Sequence, residues 1–297
     1  MFEFTWDVDP VLLEVGFLQI RYYGLFFLVV FLGGYGLFRW QVLRAGGTEV
    51  DASDIFMPGI LGVLIGARLG HVLFYEWQRF LSDPLWLFQI WRGGLASHGA
   101  TIGLLVAVYF YAKQHRQSYV ECMDRFALSA GLGATMVRLG NFFNSEIMGK
   151  VTDQTWGVRF PRFDVEVVRA GELAPLRHPT QLYEFALGLF VMFTLWLADR
   201  LLGGEKRPRG ALIALFFAVY FTGRFLVEFF KEHQALDPSS PLTMGQFLSL
   251  PLAVAGVLAF IYSLKRGIPA GWNTAPAAPP KRAKPTKRGK KAGAKRN

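Results

Sequence analysis

Apolar runs of about twenty residues recur along this chain, and they leave few folds open to it. A helix needs ~20 apolar residues to cross a bilayer. Inside hydrocarbon every backbone N–H and C=O must also find its partner within the chain, so such runs read as helices. Seven are predicted: residues 18–40, 55–77, 97–112, 122–143, 180–202, 210–230 and 244–264. Charged residues make up 18% of the 297, against the ~25% of a soluble domain. The expectation is an all-α polytopic membrane protein with about seven transmembrane helices, a small periplasmic cap and interfacial helices.

Segments between the runs fit that plan. Residues 1–17 are acidic and aromatic, with no basic region of the kind that opens a secretory signal. Asp9-Pro10 followed by Val-Leu-Leu-Glu-Val predicts a short interfacial helix there. Pro84-Leu-Trp-Leu-Phe-Gln-Ile-Trp91 is too short to span and rich in tryptophan, which suits the membrane interface. Residues 145–178 are polar. Trp156-Gly-Val-Arg-Phe-Pro and the alternating Asp164-Val-Glu-Val-Val predict a strand-containing cap within a transmembrane domain of residues 18–265.

Net charge is +10, which would suit a nucleic-acid partner if it were spread over the body. It is not. Residues 265–297 hold 11 Lys/Arg and no Asp/Glu, leaving 21 basic against 22 acidic residues elsewhere. The Pro/Ala/Lys tail, taken as 266–297, reads as disordered, a topology determinant in contact with anionic lipid, and nucleic acid is not expected. Cys122 is the single cysteine, and five histidines show no HExxH or paired-ligand spacing. No disulfide within the chain is possible, and no metal site is expected. Basic residues gather after the odd-numbered helices, as Arg39/Arg44, Lys113/Arg116, Lys206/Arg207/Arg209 and the tail. The positive-inside rule then turns the N-terminus outward and the C-terminus to the cytoplasm.

Charges within the runs carry the functional reading, since each costs roughly 2.5–3.5 kcal/mol at depth and so calls for a partner or a task. At 1.5 Å per residue, Arg138 lies roughly 24 Å, Arg224 roughly 21 Å and Arg68 roughly 20 Å from the cytoplasmic ends of their helices. Arg21/Tyr23, His98 and Glu184 fall within the first turns of helices entering from outside. All share the outer half of the bilayer. Tyr220, Arg224 and Glu228 are spaced i, i+4, i+8 on one helix face, so Arg224 and Glu228 are expected to pair. Arg138 and Glu146, two turns apart, are expected to pair if the helix ends near Gly140, with Asn141 and Asn144 as bridges. Each pair has a purely structural reading as an intramembrane ion pair. Two guanidiniums are also a fork for phosphate. His98, between glycines, is a candidate base near neutral pH. A pocket with phosphate ligands and a base, open to lipid, points to chemistry on a phospholipid headgroup.

These residues also carry a resemblance. Arg138-Leu-Gly-Asn-Phe-Phe-Asn-Ser-Glu146-Ile-Met-Gly149 resembles the signature of the phosphatidylglycerol–prolipoprotein diacylglyceryl transferases. The similarity extends through Ile20-Arg-Tyr-Tyr-Gly24, Gly66-Ala-Arg68-Leu-Gly, Ser97-His98-Gly99, Arg177-His-Pro-Thr-Gln-Leu-Tyr-Glu184, Gly223-Arg224-Phe-Leu-Val-Glu228 and Met244-Gly-Gln246. His71, Ala100 and Lys231 depart from the family pattern and are taken to lie outside the Arg/His/Glu set. The resemblance implies transfer of an sn-1,2-diacylglyceryl group from phosphatidylglycerol to the lipobox cysteine of a prolipoprotein, with glycerol 1-phosphate leaving and a thioether formed. The partners it implies are phosphatidylglycerol, the prolipoprotein signal peptide and membrane lipids, and no cofactor is required. His98, Arg138 and Arg224 become the expected catalytic residues, with Glu146, Glu184 or Glu228 as the rival base. Tyr23, Arg68, Asn141, Asn144, Glu146, Gly149, Glu184, Tyr220 and Glu228 become the expected substrate-binding set. A transporter or a lipid-binding scaffold is the competing class; neither would release glycerol phosphate.

Overall fold

A computed structural model describes residues 4–16, 18–90, 93–232 and 240–272. Ten α-helices lie among them: α1 (Tyr22–Arg44), α2 (Glu49–Ser53), α3 (Phe56–Tyr75), α4 (Trp77–Ser82), α5 (Ser97–Gln114), α6 (Tyr119–Phe143), α7 (Val165–Arg169), α8 (Thr180–Leu201), α9 (Ala211–Val227) and α10 (Met244–Arg266). Five short strands complete the list: β1 (Phe4–Thr5), β2 (Val11–Val15), β3 (Leu18–Arg21), β4 (Val158–Arg159) and β5 (Leu176–Arg177). The seven helices of 17 residues or more are the seven apolar runs. Five spans, Tyr22–Arg44, Glu49–Tyr75, Thr180–Leu201, Ala211–Phe230 and Met244–Arg266, are long and apolar enough to cross a membrane. The chain is an all-α polytopic membrane protein. α5 and α6 fall outside that set of five, and α6 carries Glu121, Asp124, Arg125 and Arg138.

Contacts run α1–α6, α6–α8, α8–α9 and α9–α10, with α3 paired to α5. α6 is the hub, touching α1, α5, α8 and α9. Its length is interrupted by no proline, and small residues let neighbours approach: Ser129 donates to the Gly34 carbonyl of α1 at 2.7 Å. Ala127 and Leu128 pack with Val191, Leu195, Leu212 and Phe216 of α8 and α9. α3 and α5 cross through Gly62, Gly66, Gly70, Gly99 and Gly103, where a Cβ on Gly103 would be driven into the Gly62 carbonyl. Small residues at such a crossing bring backbones into van der Waals contact, the main attraction between helices in lipid. Gly103→Val is therefore expected to lower stability by roughly 1–3 kcal/mol, seen as a lower apparent Tm of the purified protein. An unchanged Tm would mean the two helices part at no cost.

Paired charges close the end of the bundle opposite the cap. Arg44 of α1 meets Asp199 of α8 at 2.7 Å and Glu205 at 2.5 Å. Arg125, fully buried, meets Glu121 and Glu205, each at 2.7 Å. Arg207, also fully buried, sits 3.3 Å from Asp124 and 3.2 Å from Asp199. The acidic residues of α6 are thus paired, Glu121 with Arg125 of the same helix and with Arg209, and Asp124 with Arg207; Arg207 and Arg209 come from the segment between α8 and α9.

Four expectations change. The predicted interfacial helix at 9–15 is instead the β2–β3 hairpin, turned through Gly16 at φ 60°. Five residues with β-branched ends suit a hairpin better than a helix too short to close its own hydrogen bonds. The first long helix consequently starts at Tyr22, not at residue 18. Residues 164–168 form no strand; Asp164 opens the short helix α7, and the cap's strands are β1, β4 and β5. The tail does not begin at 266. Residues 267–272 fold back, with Arg209 N–H donating to the Ile268 carbonyl and Ala270 N–H to the Arg207 carbonyl, each at 2.7 Å. Trp272 is buried there beside Phe38, Val42 and Tyr111. The tail from 273 onward lies outside the described residues.

Candidate active site

Glu184 lies one turn into α8 and is 1% exposed. Its carboxylate is the meeting point of three cations. Arg138 Nε of α6 stands 3.0 Å from Oε2, Arg224 Nη1 of α9 3.3 Å from Oε1, and Lys231 Nζ 3.0 Å from Oε2. Lys231 also reaches Glu228 Oε2 at 3.3 Å. Three cations thus face two buried carboxylates.

Arg138 is oriented by its own helix end. Its Nη1 donates to Asn141 Oδ1 at 3.2 Å, and Asn141 Nδ2 donates to Glu146 Oε2 at 3.1 Å. Asn144 Nδ2 donates to Glu146 Oε1, also at 3.1 Å. α6 stops at Phe143, and Ser145 and Ile147 then take positive φ. That reversal turns Glu146 back toward the two asparagines. Gln181 Nε2 of α8 fixes the turn by donating to the Glu146 carbonyl at 2.7 Å. The Tyr23 ring lies over Gly140, with Asn141, Arg138 and Glu146 around its hydroxyl, and Tyr220 neighbours the Arg138 guanidinium.

Two expected pairs are corrected. Arg224 meets Glu184 and not Glu228, because α9 ends at Val227 and residues 228–230 tighten into a 3-10 turn. That turn carries Glu228 off the i, i+4 stripe and toward Lys231. Arg138 meets Glu184 directly and reaches Glu146 only through Asn141.

Other expected residues stand elsewhere. Arg68 is spent on backbone: it donates to the carbonyls of Trp86, Leu87, Gly93 and Gly94 and lies 4.1 Å over the Trp86 ring. It pins the interfacial segment to α3 and is not joined to the Glu184 cluster. Gly149 sits where the cap meets the end of α9, pairing with Lys231; a Cβ there would collide with the His178 carbonyl. His98 is exposed on the first turn of α5 and has no hydrogen-bond partner among the described residues. α5 packs on α3 and touches α6. No contact joins His98 to Arg138 or Arg224.

Lys231 is the residue that sequence reasoning missed. It was set apart as a departure from the family pattern, yet it is 3% exposed and touches both buried carboxylates. Its spacing of three from Glu228 was the available signal.

What this arrangement can do chemically is bind an anion. Glu184 takes one nitrogen from each arginine, and the Arg138 and Arg224 side chains stay 13% and 25% exposed. Guanidinium N–H groups remain unspent, in the fork geometry that suits a phosphate.

Comparison with known proteins bears on the identity of that anion. Residues 10–262 match the family model described as prolipoprotein diacylglyceryl transferase. A protein of Vibrio cholerae serotype O1 named phosphatidylglycerol–prolipoprotein diacylglyceryl transferase is 41% identical over 268 residues, 88% of this chain and 94% of the relative. Proteins of the same name from Pseudoalteromonas atlantica and Chloroherpeton thalassium are 38% and 41% identical over 267 residues. Those matches cover 88% of this chain and 91% and 94% of the relatives.

Proposed function

The chain belongs to the prolipoprotein diacylglyceryl transferase family, and from that premise we propose how its residues divide the work. The protein is a multi-pass bacterial membrane enzyme that transfers diacylglyceryl from phosphatidylglycerol to prolipoprotein, the first step of lipoprotein maturation. The lipobox cysteine thiol attacks the glyceryl carbon that bears the phosphate ester. A C–S bond forms, the C–O bond breaks with its electron pair on oxygen, and glycerol 1-phosphate departs. The thiol proton goes to a base, since the thiolate is the nucleophile.

The departing phosphate gains negative charge as the C–O bond breaks. Arg138 and Arg224 face that charge with donors already oriented by Glu184 and Asn141, so little reorganisation is needed in the transition state. The observation carrying this reading is that arginines from two separate helices meet on one buried carboxylate and still present unspent N–H groups. Lys231 and Glu228 complete the charge balance behind them. Tyr23, Tyr220, Asn141 and Asn144 orient the headgroup. Glu146, the most exposed carboxylate of the set, stands as the alternative proton acceptor to His98.

Orientation follows from the basic ends. Arg39, Arg44, Lys113, Arg116, Arg207 and Arg209 belong to the end opposite Glu184, and the sequence adds a basic tail after them. The positive-inside rule makes that end cytoplasmic, the N-terminus periplasmic and the membrane the inner one. The site then opens to the outer leaflet, where a prolipoprotein still carries its signal peptide.

Incubation of purified protein with phosphatidylglycerol and a lipobox peptide is expected to release glycerol phosphate and add a diacylglyceryl mass to the peptide. Release without peptide, or none with it, would exclude the transfer. His98→Ala separates the two bases. Because His98 is exposed and has no hydrogen-bond partner among the described residues, its loss is expected to leave Tm and phosphatidylglycerol binding intact while transfer falls by ~10²–10⁴. Near-normal turnover would assign the proton to a glutamate.

A further inference from the structure

At the end of α9 and α10 farthest from Glu184, a groove of about 630 Å³ runs between the two helices. At its floor they are in backbone contact, since a Cβ on Gly256, one of the lining residues, would strike Ala218 N. Along the groove Ile213 and Phe217 of α9 face Ala255 and Ala259 of α10, and both alanines are exposed on the surface that meets lipid. From Leu252 to Arg266 the α10 wall is about 21 Å long, more than the ~15 Å half-thickness of the hydrocarbon core.

The rim is basic. Arg209 spends its Nε on Glu121 at 3.1 Å and keeps its side chain 32% exposed. Arg266 is exposed and held only 5.8 Å over the Tyr262 ring. Both guanidiniums therefore stand at the polar end of an apolar channel, one anchored and one stacked. We propose that this groove is a lipid site separate from the transfer site. It holds one acyl chain of an anionic phospholipid from the leaflet opposite the Glu184 cluster, with the phosphate on Arg209 and Arg266. Charge complementarity selects this occupant: a second copy packed by two-fold symmetry would bring its own Arg209 and Arg266 to the same rim.

The test uses the full chain in lipid nanodiscs and two photoreactive lipids carrying a diazirine on one acyl chain, phosphatidylglycerol and phosphatidylcholine. Peptide mapping is expected to find residues 211–217 and 252–262 labelled by the anionic probe on the order of tenfold more than by the zwitterionic one. Arg266→Gln is expected to reduce that preference and Arg209→Gln/Arg266→Gln to abolish it. Labelling of peptides around Tyr23 and Arg138 should stay unchanged, which reports an intact fold. Ala255→Phe, which fills the channel without touching charge, is expected to lower labelling by both probes. Equal labelling by the two lipids, insensitive to the arginines, would overturn the proposal. So would an Ala259→Cys disulfide dimer that excludes both probes, since a second copy would then occupy the groove.

Discussion

Glu184→Gln is expected to abolish transfer and to destabilise the protein. The substitution keeps the shape of the side chain and removes the charge on which Arg138, Arg224 and Lys231 converge. Three cations would be left against Glu228 alone. Removing one partner of a buried ion pair typically costs about 3–5 kcal/mol, because the remaining charge is left uncompensated. The prediction is a clear fall in apparent Tm and at least a ~10² loss of peptide diacylglyceryl transfer, since both arginines lose the contact that orients them. Glu184→Gln/Lys231→Met removes one stranded cation as well and is expected to regain part of the Tm, as coupled neighbours do. A double variant no more stable than the single one would show that Lys231 is not held through Glu184.

Arg138→Lys is the second large effect. Charge is conserved, but geometry is not. Arg138 serves Glu184 through Nε and Asn141 through Nη1 at the same time, whereas an ammonium on a flexible stem cannot hold both directions and present a planar fork to phosphate. Transfer is expected to drop by about 10²–10³, with most of the loss in kcat, because the arginine matters most when phosphate charge develops. The Tm should move much less than in Glu184→Gln, since an ammonium can still neutralise Glu184. Full activity in Arg138→Lys would make guanidinium geometry irrelevant to the reaction.

Much of the fold was legible in the chain. Six of the seven long helices begin within about three residues of where the hydropathy placed them, because segment length and backbone satisfaction in lipid leave little freedom. The exception is α1, whose predicted first residues are strand β3. Short elements were the hard part. Residues 11–15 and 164–168 are too brief for periodicity to decide, and the cap's strands depend on partners far away: β4 pairs with β1, more than 150 residues earlier in the chain. The docking of residues 267–272 depended on a pocket for Trp272 that helices α1 and α5 create together.

The arginines that gather on Glu184 were readable as candidates too, since charges inside apolar runs stand out. Pairing was not. Both corrected ion pairs had been assigned to neighbours within one segment, Arg224 to Glu228 and Arg138 to Glu146, because sequence spacing reveals only partners that share a helix. Lys231 was passed over as a departure from the family pattern, and its partner Glu184 lies on another helix. By itself, then, the amino-acid order determined that the chain is a polytopic helical membrane protein, where its seven long helices run, and the family it belongs to. Only the tertiary structure decided which carboxylate Arg138, Arg224 and Lys231 share. That choice is made by α6, α8 and α9 lying side by side, where burial makes one well-placed carboxylate more favourable than three separate pairs.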